Sequence, residues 1–310
     1  MTERSRLSEE DKLYLKYQIY SYRYDDPWIS NKKVAKLTNH SITTVNRYAK
    51  QGEKQIVIMN PQPRLYPHPD IKVTSLVFEN KYSAFEELKK CPGIRYMCLY
   101  HGDWDIVAVH DASVDFTEIP GYVETVVEGL YGPCLTPKTA HTSWEQFFES
   151  AKDFLEQEEH IQKSIFDCNP RIPDWDKEDW EMYWYFVANL RRSFNELRKK
   201  TPISWRKYAE WKKSLAEYCT ILAGFFPEGS HSYLDMTLCF TTQYEKYVVD
   251  LFSHMPTTPG FTRAGEYVLA NIFIPKDYSQ QPKVYNINSQ LVDEGIISDY
   301  KDAFGFLTYF

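Results

Sequence analysis

The sequence predicts an α+β chain in which a helical unit followed by a βαββαβ unit occurs twice. Three observations predict it. Apolar residues recur at helical spacing through residues 8–51. From residue 71 the period changes to that of strands, with Pro-Gly and Gly-Asp turns between them. The second half then makes the same change of period in the same order, and such internal repetition dictates the whole architecture when present.

The elements follow in order. In SEEDKLYLKYQIYSYRY, Leu13, Tyr17, Tyr20 and Tyr24 share one helix face, with Ile19 nearby, and Ser8 with Asp11 forms a capping box with Asp in place of Glu. Asp26-Pro27 ends this helix. Ser30 caps NKKVAKLT, with Val34, Ala35 and Leu37 facing inward. Asn39-His40 turns the chain, and Ser41 caps ITTVNRYAKQ, with Ile42, Val45 and Tyr48 inside and Gly52 as the stop. Two short helices across a tight turn, behind a longer one, form a helix-turn-helix. QIVIMNPQPRLYPHP reads as a β-wing and exit loop.

IKVTSLVFE then reads as a strand and YSAFEELKKC as a helix ending at Pro92-Gly93. IRYMCLYH and DIVAVHD are strands around the turn Gly102–Asp105. Residues 115–130 read as a helix interrupted at Pro120-Gly121, and CLTPKTAHTSW as a last extended segment, which completes a ferredoxin-like βαββαβ order. Residues 144–166 read as an acidic amphipathic helix, followed by the linker CNPRIPDWD.

The second half opens on a long helix, WEMYWYFVANLRRSFNELRKK. At a constant offset of 174, Ala35 falls on Ala209, Leu37 on Trp211, Val45 on Cys219 and Tyr48 on Leu222. The third helix of the second unit is therefore expected in LAEYCTILAGFF, with almost no polar surface and no cation. SYLDMTLCF, QYEKYVVDLFSHM, TRAGEYVLANIFIP, KVYNINSQLVDEGII and AFGFLTYF repeat βαββαβ. The expected divisions are 1–66, a winged helix-turn-helix; 67–145, ferredoxin-like; 146–175, a linker helix; 176–229, a degenerate helix-turn-helix; and 230–310, a second ferredoxin-like domain.

Acidic residues outnumber basic ones, 43 to 36, for a net charge of −7, which counts against a nucleic-acid partner unless cations are gathered locally. They are gathered in KKVAKLTNHSITTVNRYAKQGEK, where Lys32, Lys33, Lys36, Arg47, Lys50 and Lys54 face only Glu53. A second basic run includes Arg191, Arg192, Arg198, Lys199, Lys200, Arg206, Lys207, Lys212 and Lys213. The six cysteines are scattered without a C-x-x-C pair, so neither a zinc site nor a disulfide framework is expected. His101, His110 and His141 lie on or beside predicted strands at no ligand spacing, and no metal is expected. Phosphate-loop, dinucleotide and hydrolase motifs are absent from the sequence. No apolar run reaches 18 residues and MTERSRLSEED has no signal-peptide core, so a cytoplasmic protein without a membrane partner is expected.

The order of helix-turn-helix, βαββαβ, Pro92-Gly93-Ile94 and Gly102-Asp103-Trp104-Asp105 resembles the Lrp/AsnC family of feast/famine regulators. The first half matches over its length; the second matches in layout, with Pro259-Gly260 and Gly265-Glu266-Tyr267 as echoes. The resemblance implies a DNA-binding transcription regulator, not an enzyme and without cofactor. It implies a homodimer or larger assembly that answers to a small effector, an amino acid or an aromatic metabolite. DNA contact then falls on Lys32, Lys33, Ser41, Thr43, Thr44, Asn46, Arg47 and Lys50, with Arg47 suited to guanine and Asn46 to adenine. The hairpin Gly102, Asp103, Trp104 and Asp105 lies near the effector, with an aspartate to receive an amine. Only the first unit is expected to read DNA.

Two rival readings use the same layout. Siroheme decarboxylases resemble the same family, some as fused copies. Their pattern has a histidine at the hairpin position where this chain has Gly102, followed by an acidic residue and Tyr. His101-Gly102-Asp103-Trp104 is closer to the regulator form. The other rival is a sensor or scaffold whose helix-turn-helix units are both vestigial.

Overall fold

Serine caps set the first helices. Helix α1 (Glu9–Asp25) starts on Ser8, whose hydroxyl accepts the Asp11 N–H at 3.0 Å while the Asp11 carboxylate accepts the Ser8 N–H at 3.2 Å. Helices α2 (Asn31–Leu37) and α3 (Ile42–Lys54) start the same way on Ser30 and Ser41. Each cap is worth about 1 kcal/mol. The computed structural model describes residues 7–156, 161–277 and 279–309. Val34, Ala35, Val45 and Tyr48 are buried as expected, but Leu37 is 50% and Ile42 47% exposed. Gly52 does not stop α3. It is buried inside the helix, where an added Cβ would lie 2.8 Å from Ile58, so its role is close approach. The helix ends two residues after it, before Ile56 at φ +51.

Strand β1 (Ile58–Leu65) lies where a wing was expected, but its partner comes from the other half. Helices α6 (Lys177–Phe186), α7 (Phe194–Arg198) and α8 (Trp205–Tyr218) precede β6 (Cys219–Phe225), which runs antiparallel to β1. Residues 219–225 are therefore a strand and not the expected helix. Thr220, Ile221 and Gly224 are poor helix formers, and β1 offers an open edge to pair with. The helix corresponding to α3 is α8. Ser193 and Ser204 precede α7 and α8 at the same spacing as Ser30 and Ser41 precede α2 and α3. The long helix expected from residue 180 breaks after α6. There the Leu190 N–H turns to Pro61 O (2.8 Å) and Arg64 takes Val187 O (2.9 Å).

The remaining strands close one barrel. They are β2 (Ile71–Phe78), β3 (Ile94–Gly102), β4 (Ile106–Asp111), β5 (Tyr122–Leu135), β7 (Tyr233–Thr241), β8 (Gly260–Ala264), β9 (Tyr267–Pro275) and β10 (Ser298–Tyr309). Their order is β10-β3-β4-β2-β5-β8-β9-β7, antiparallel throughout. Within each half the strands lie fourth, first, third, second. Helices α4 (Lys81–Leu88), α9 (Glu245–Ser253) and α10 (Gln281–Asp293) fall between strands as expected. Two ferredoxin-like domains in tandem were expected; their sheets are continuous, with edges joined through β10–β3 and β5–β8.

The helix expected over 115–130 is a 3-10 turn, Phe116–Glu118, followed by β5, because Val123, Thr125 and Val127 alternate as a strand does. Gly129 is indispensable to closure, since a Cβ there would lie 2.0 Å from Gly265 N on the turn between β8 and β9. The helix expected over 144–166 is α5 (Trp144–Leu155); residues 157–160 of that expectation lie outside the described residues.

The strands alternate faces. On β3 and β4, Met97, Leu99, Ile106 and Ala108 pack outward with α4, whereas Cys98, Tyr100, Val107 and Val109 point into the barrel. Helices α5, α9 and α10 cover the outside of β7 and β9 through Phe147, Leu251 and Leu291. The β1–β6 ribbon lies between the two helical cores. Phe225 packs with Tyr20 of α1, and Ile221 with the α6–α8 core.

Candidate functional site

The barrel is not filled. It borders a partly open chamber of about 770 Å³, within the size range of small-molecule sites. Val73, Val107, Val109 and Leu269 give it apolar walls; Tyr96, Tyr100 and Tyr131 add phenols; and Asp235, Thr237 and Asn271 add polar groups. Its lid is the β1–β6 ribbon, through Met59, Arg64 and Leu222, with Val187 and Ala188 from the segment after α6.

The polar groups form one connected row. The Asn271 amide donates to Thr237 Oγ1 at 2.7 Å and to Asp235 Oδ1 at 3.3 Å. The Thr237 hydroxyl donates to Tyr100 Oη at 3.2 Å. Each donor fixes the next, so the Tyr100 hydroxyl proton is left to point elsewhere. Gly305 of β10 stands between Tyr100 and Asp235 in the cross-strand register. A Cβ at 305 would come to 3.2 Å from the Tyr100 ring and 3.4 Å from Asp235 Oδ2, so the bare strand lets both side chains converge.

This setting changes their acidities. Burial pushes Asp235 up to about 6, partly offset by the Asn271 hydrogen bond. Burial, and then the charge of Asp235, holds the Tyr100 phenol well above its ordinary value. Burial does the same to Tyr96 and raises the Cys98 thiol to about 11. The Tyr131 phenol is raised first by Cys134 and then by burial. The phenols are neutral donors at every physiological pH, and Asp235 exchanges its proton near neutrality. A buried carboxyl with that acidity on a cavity wall is suited to general acid–base work.

Cations stand at two places. Arg64 donates to Pro63 O and Val187 O, each at 2.9 Å, and to Gln62 Oε1 at 2.6 Å. Among the described residues it has no carboxylate partner, which leaves its charge for an anion inside the lid. Arg95 lines the chamber from β3, but Asp111 holds it at 2.6 Å.

The structure places the sequence-predicted residues elsewhere. Asp103 accepts the Asp302 N–H at 2.8 Å and tethers β10. Asp105 accepts the Phe78 N–H at 3.0 Å and pairs with Lys81 at 3.1 Å. Gly102 has φ +149 and touches the β10 backbone, and Trp104 is buried in the barrel core, its ring 5.9 Å from Tyr100. None of these four residues lines the chamber. On α2 and α3, Lys32, Lys33, Thr43 and Lys50 are exposed. Ser41 and Thr44 are joined at the cap, their hydroxyls 2.9 Å apart. Asn46 accepts from Asn31 at 2.8 Å, and Arg47 lies over its neighbour Tyr48 at 4.7 Å. His101 stacks on Phe306, His110 bonds Thr74 at 2.8 Å, and His141 packs on Tyr14 and Tyr17; no group of His, Cys, Asp or Glu among the described residues suits a metal. No helix among the described residues is long and apolar enough to cross a membrane.

Sequence reasoning missed Asp235, Thr237, Asn271, Tyr100 and Arg64. A signal existed: Asp235 and Thr237 occupy alternate positions in the apolar strand SYLDMTLCF, and Asn271 interrupts VLANIFIP. An acid and an amide on the buried face of two apolar strands need a partner.

Fold and chamber together define a class, a mixed α/β chain with a partly open, acid-bearing cavity. No family model matches the chain, and no curated protein matches it. Among solved structures it is similar to E. coli AsnC, at 12% identity over 38% of this chain and 89% of that one, with a TM-score of 0.32. It is also similar to the siroheme decarboxylase NirDL at 10% identity, over 96% of this chain and 91% of that one, with a TM-score of 0.44. NirDL in co-complex with an iron-uroporphyrin III analogue matches at 11% identity, over 97% and 92%, again with a TM-score of 0.44. The expectation that the chain is not an enzyme is corrected here. Two solved chains that align with nearly its whole length are those of a siroheme decarboxylase.

Proposed function

We propose that the chain is a decarboxylase acting on a large, flat, polycarboxylated molecule of the tetrapyrrole class, siroheme among them, held in the barrel chamber. The observation that carries this reading is the row Tyr100–Thr237–Asn271–Asp235 on the wall of a mainly apolar cavity.

Loss of CO2 leaves an electron pair on carbon. Three things ease that step: an apolar setting that strips water from the reacting carboxylate, an electron sink, and a placed proton donor. The valine-lined walls supply the first, and the conjugated substrate supplies the second. Asp235, protonated below about 6, supplies the third. The C–C bond to the carboxylate breaks, CO2 departs, and the new C–H bond takes the Asp235 proton, which solvent restores. Tyr100, its hydroxyl oriented by Thr237, donates a hydrogen bond to the substrate and does not ionise. Arg64 anchors a carboxylate that stays, because a guanidinium on the departing one would hold it in place. The test is direct. Siroheme is titrated into the protein while the Soret band is followed, and the product mass is then read. Stoichiometric binding with loss of carboxyl mass supports the reading; absence of binding removes it.

A second reading rests on the exposed Lys32, Lys33, Thr43 and Lys50 of the α2–α3 pair. In it α3 enters a major groove of double-stranded DNA, with Arg47 and Asn46 released from their present partners, and the chamber ligand is the effector. Two chains would then meet a palindromic site with reading helices roughly 34 Å apart. The recurring element order supports reading the chain as two copies of one unit in tandem, each a winged helix-turn-helix with a ferredoxin-like sheet. Arg47→Ala leaving DNA affinity untouched would remove the assignment of α3.

A further inference from the structure

Arg64 and Arg95 both line the chamber, but they are held in different ways. Arg64 donates to the Pro63 and Val187 carbonyls and to the Gln62 amide, which leaves its charge uncancelled. Arg95 has one hydrogen-bonding partner among the described residues, and that partner is a carboxylate. Its Nε and Nη2 both reach a single oxygen, Asp111 Oδ1, each at 2.6 Å. The pair therefore lacks the two parallel bonds of a strong arginine–carboxylate clamp. Each side chain is also 40% exposed, and pairs in such settings hold little energy.

A β-bulge brings Arg95 to the chamber. Ile94 pairs with His110 and Tyr96 with Val109, so Arg95 is an extra residue on β3 with no partner on β4. Along the regular part of the strand, Met97 and Leu99 face outward and Cys98 and Tyr100 inward. Strict alternation would put Arg95 on the outward face; with the bulge, Arg95 and Tyr96 both line the chamber. Asp111 is fixed beside it. Its N–H donates to Gly93 O at 2.9 Å, and Gly93, at φ +97, keeps the space next to the carboxylate clear, since a Cβ there would lie 3.3 Å from Asp111 Oδ2.

We propose that the Arg95–Asp111 pair is an exchangeable second anchor, through which the chamber discriminates ligands by the number and spread of their carboxylates. Asp111 occupies the guanidinium in the free chain. A ligand carboxylate that reaches Arg95 displaces it, one anion for another, and the weak exposed pair opens easily. A ligand whose carboxylates are all taken up at Arg64 leaves the pair closed. Arg95 is thus a specificity-determining residue and makes no contact with the reacting carbon. The inference rests on the tetrapyrrole reading of the chamber. It adds which members of that class are held best, those with carboxylates on more than one edge of the ring.

The test is fluorescence titration of the full chain with two metal-free porphyrins. Coproporphyrin has carboxylates spread around the ring; in deuteroporphyrin they share one edge. Arg95→Gln should weaken coproporphyrin about tenfold and deuteroporphyrin by less than about twofold. Asp111→Asn keeps the shape and removes the competitor, so it should tighten coproporphyrin by about two- to fivefold. The opposed signs are the signature, because a pair that only ties β3 to β4 gives changes of one sign when either partner is removed. The inference is overturned if Asp111→Asn weakens coproporphyrin or leaves it unchanged, or if Arg95→Gln weakens both porphyrins alike. In those cases wild-type binding of the porphyrins leaves the tetrapyrrole reading standing. A wild type that binds neither removes the reading and the inference together.

Discussion

The two halves of the barrel share a strand order but not a chemistry. The first half, β2 to β5, faces the chamber with Val73, Val107, Val109 and the phenols of Tyr96, Tyr100 and Tyr131. The second half places Asp235 and Thr237 on β7 and Asn271 on β9. One wall carries valines and phenols; the other carries the carboxyl, hydroxyl and amide of the hydrogen-bonded row. The difference teaches that two sheets of one strand order can carry different inward groups, because strand pairing uses the backbone and leaves inward side chains to vary.

The sharpest way to break the comparison is at Asp235. Asp235→Asn keeps the shape and the acceptor for Asn271 but has no carboxyl proton to give. On siroheme it should lose roughly 10²–10⁴-fold in rate while binding is retained. In the wild type the acid form is the active one, so the rate should fall as pH rises through about 6. A flat rate from about pH 5 to 8 would sink that assignment.

Closure is the next target. Gly129→Val drives a side chain into the β8–β9 turn, so the joint between the two walls should open at a cost of about 3 kcal/mol or more, read as a lowered denaturation midpoint. Arg64→Gln should weaken the binding of a polycarboxylated ligand about tenfold or more, and should matter little for an ester of the same molecule.

The smallest effect is on stability, and its sign follows from linkage. Burial raises Asp235 above its ordinary value of 3.8, so its contribution to folding is fully present below that value and is lost as pH climbs through about 6. Asp235→Asn should therefore be more stable than the wild type at about pH 8, by roughly 1–3 kcal/mol, and the gap should close near pH 4. Equal denaturation midpoints at both pH values would contradict a strained carboxyl.

Much of this was legible in residues and some was not. Ser8, Ser30 and Ser41 announce their helices because a cap is a local bond. Most strands announce themselves by period. Residues 219–225 did not, because a short apolar run fits helix or strand equally, and the deciding partner, β1, is more than 150 residues away. The long helix from residue 180 failed for the same reason, since Pro61 and Arg64 draw its middle away. The polar row was hidden because its members lie on three strands whose register no single strand reveals. The hairpin aspartates pointed the other way: turn chemistry made them conspicuous, and the fold uses them as tethers.

The central claim is that the second wall delivers a proton to carbon. It is tested most directly by single-turnover decarboxylation of bound siroheme in deuterated water, by wild type and Asp235→Asn, with product read by mass. The account predicts that both proteins hold the ligand, and that the wild type places solvent deuterium at the carbon that lost CO2 while the variant is slower by at least about a hundredfold. Equal turnover by the two proteins, or a wild type that binds no tetrapyrrole, would contradict it.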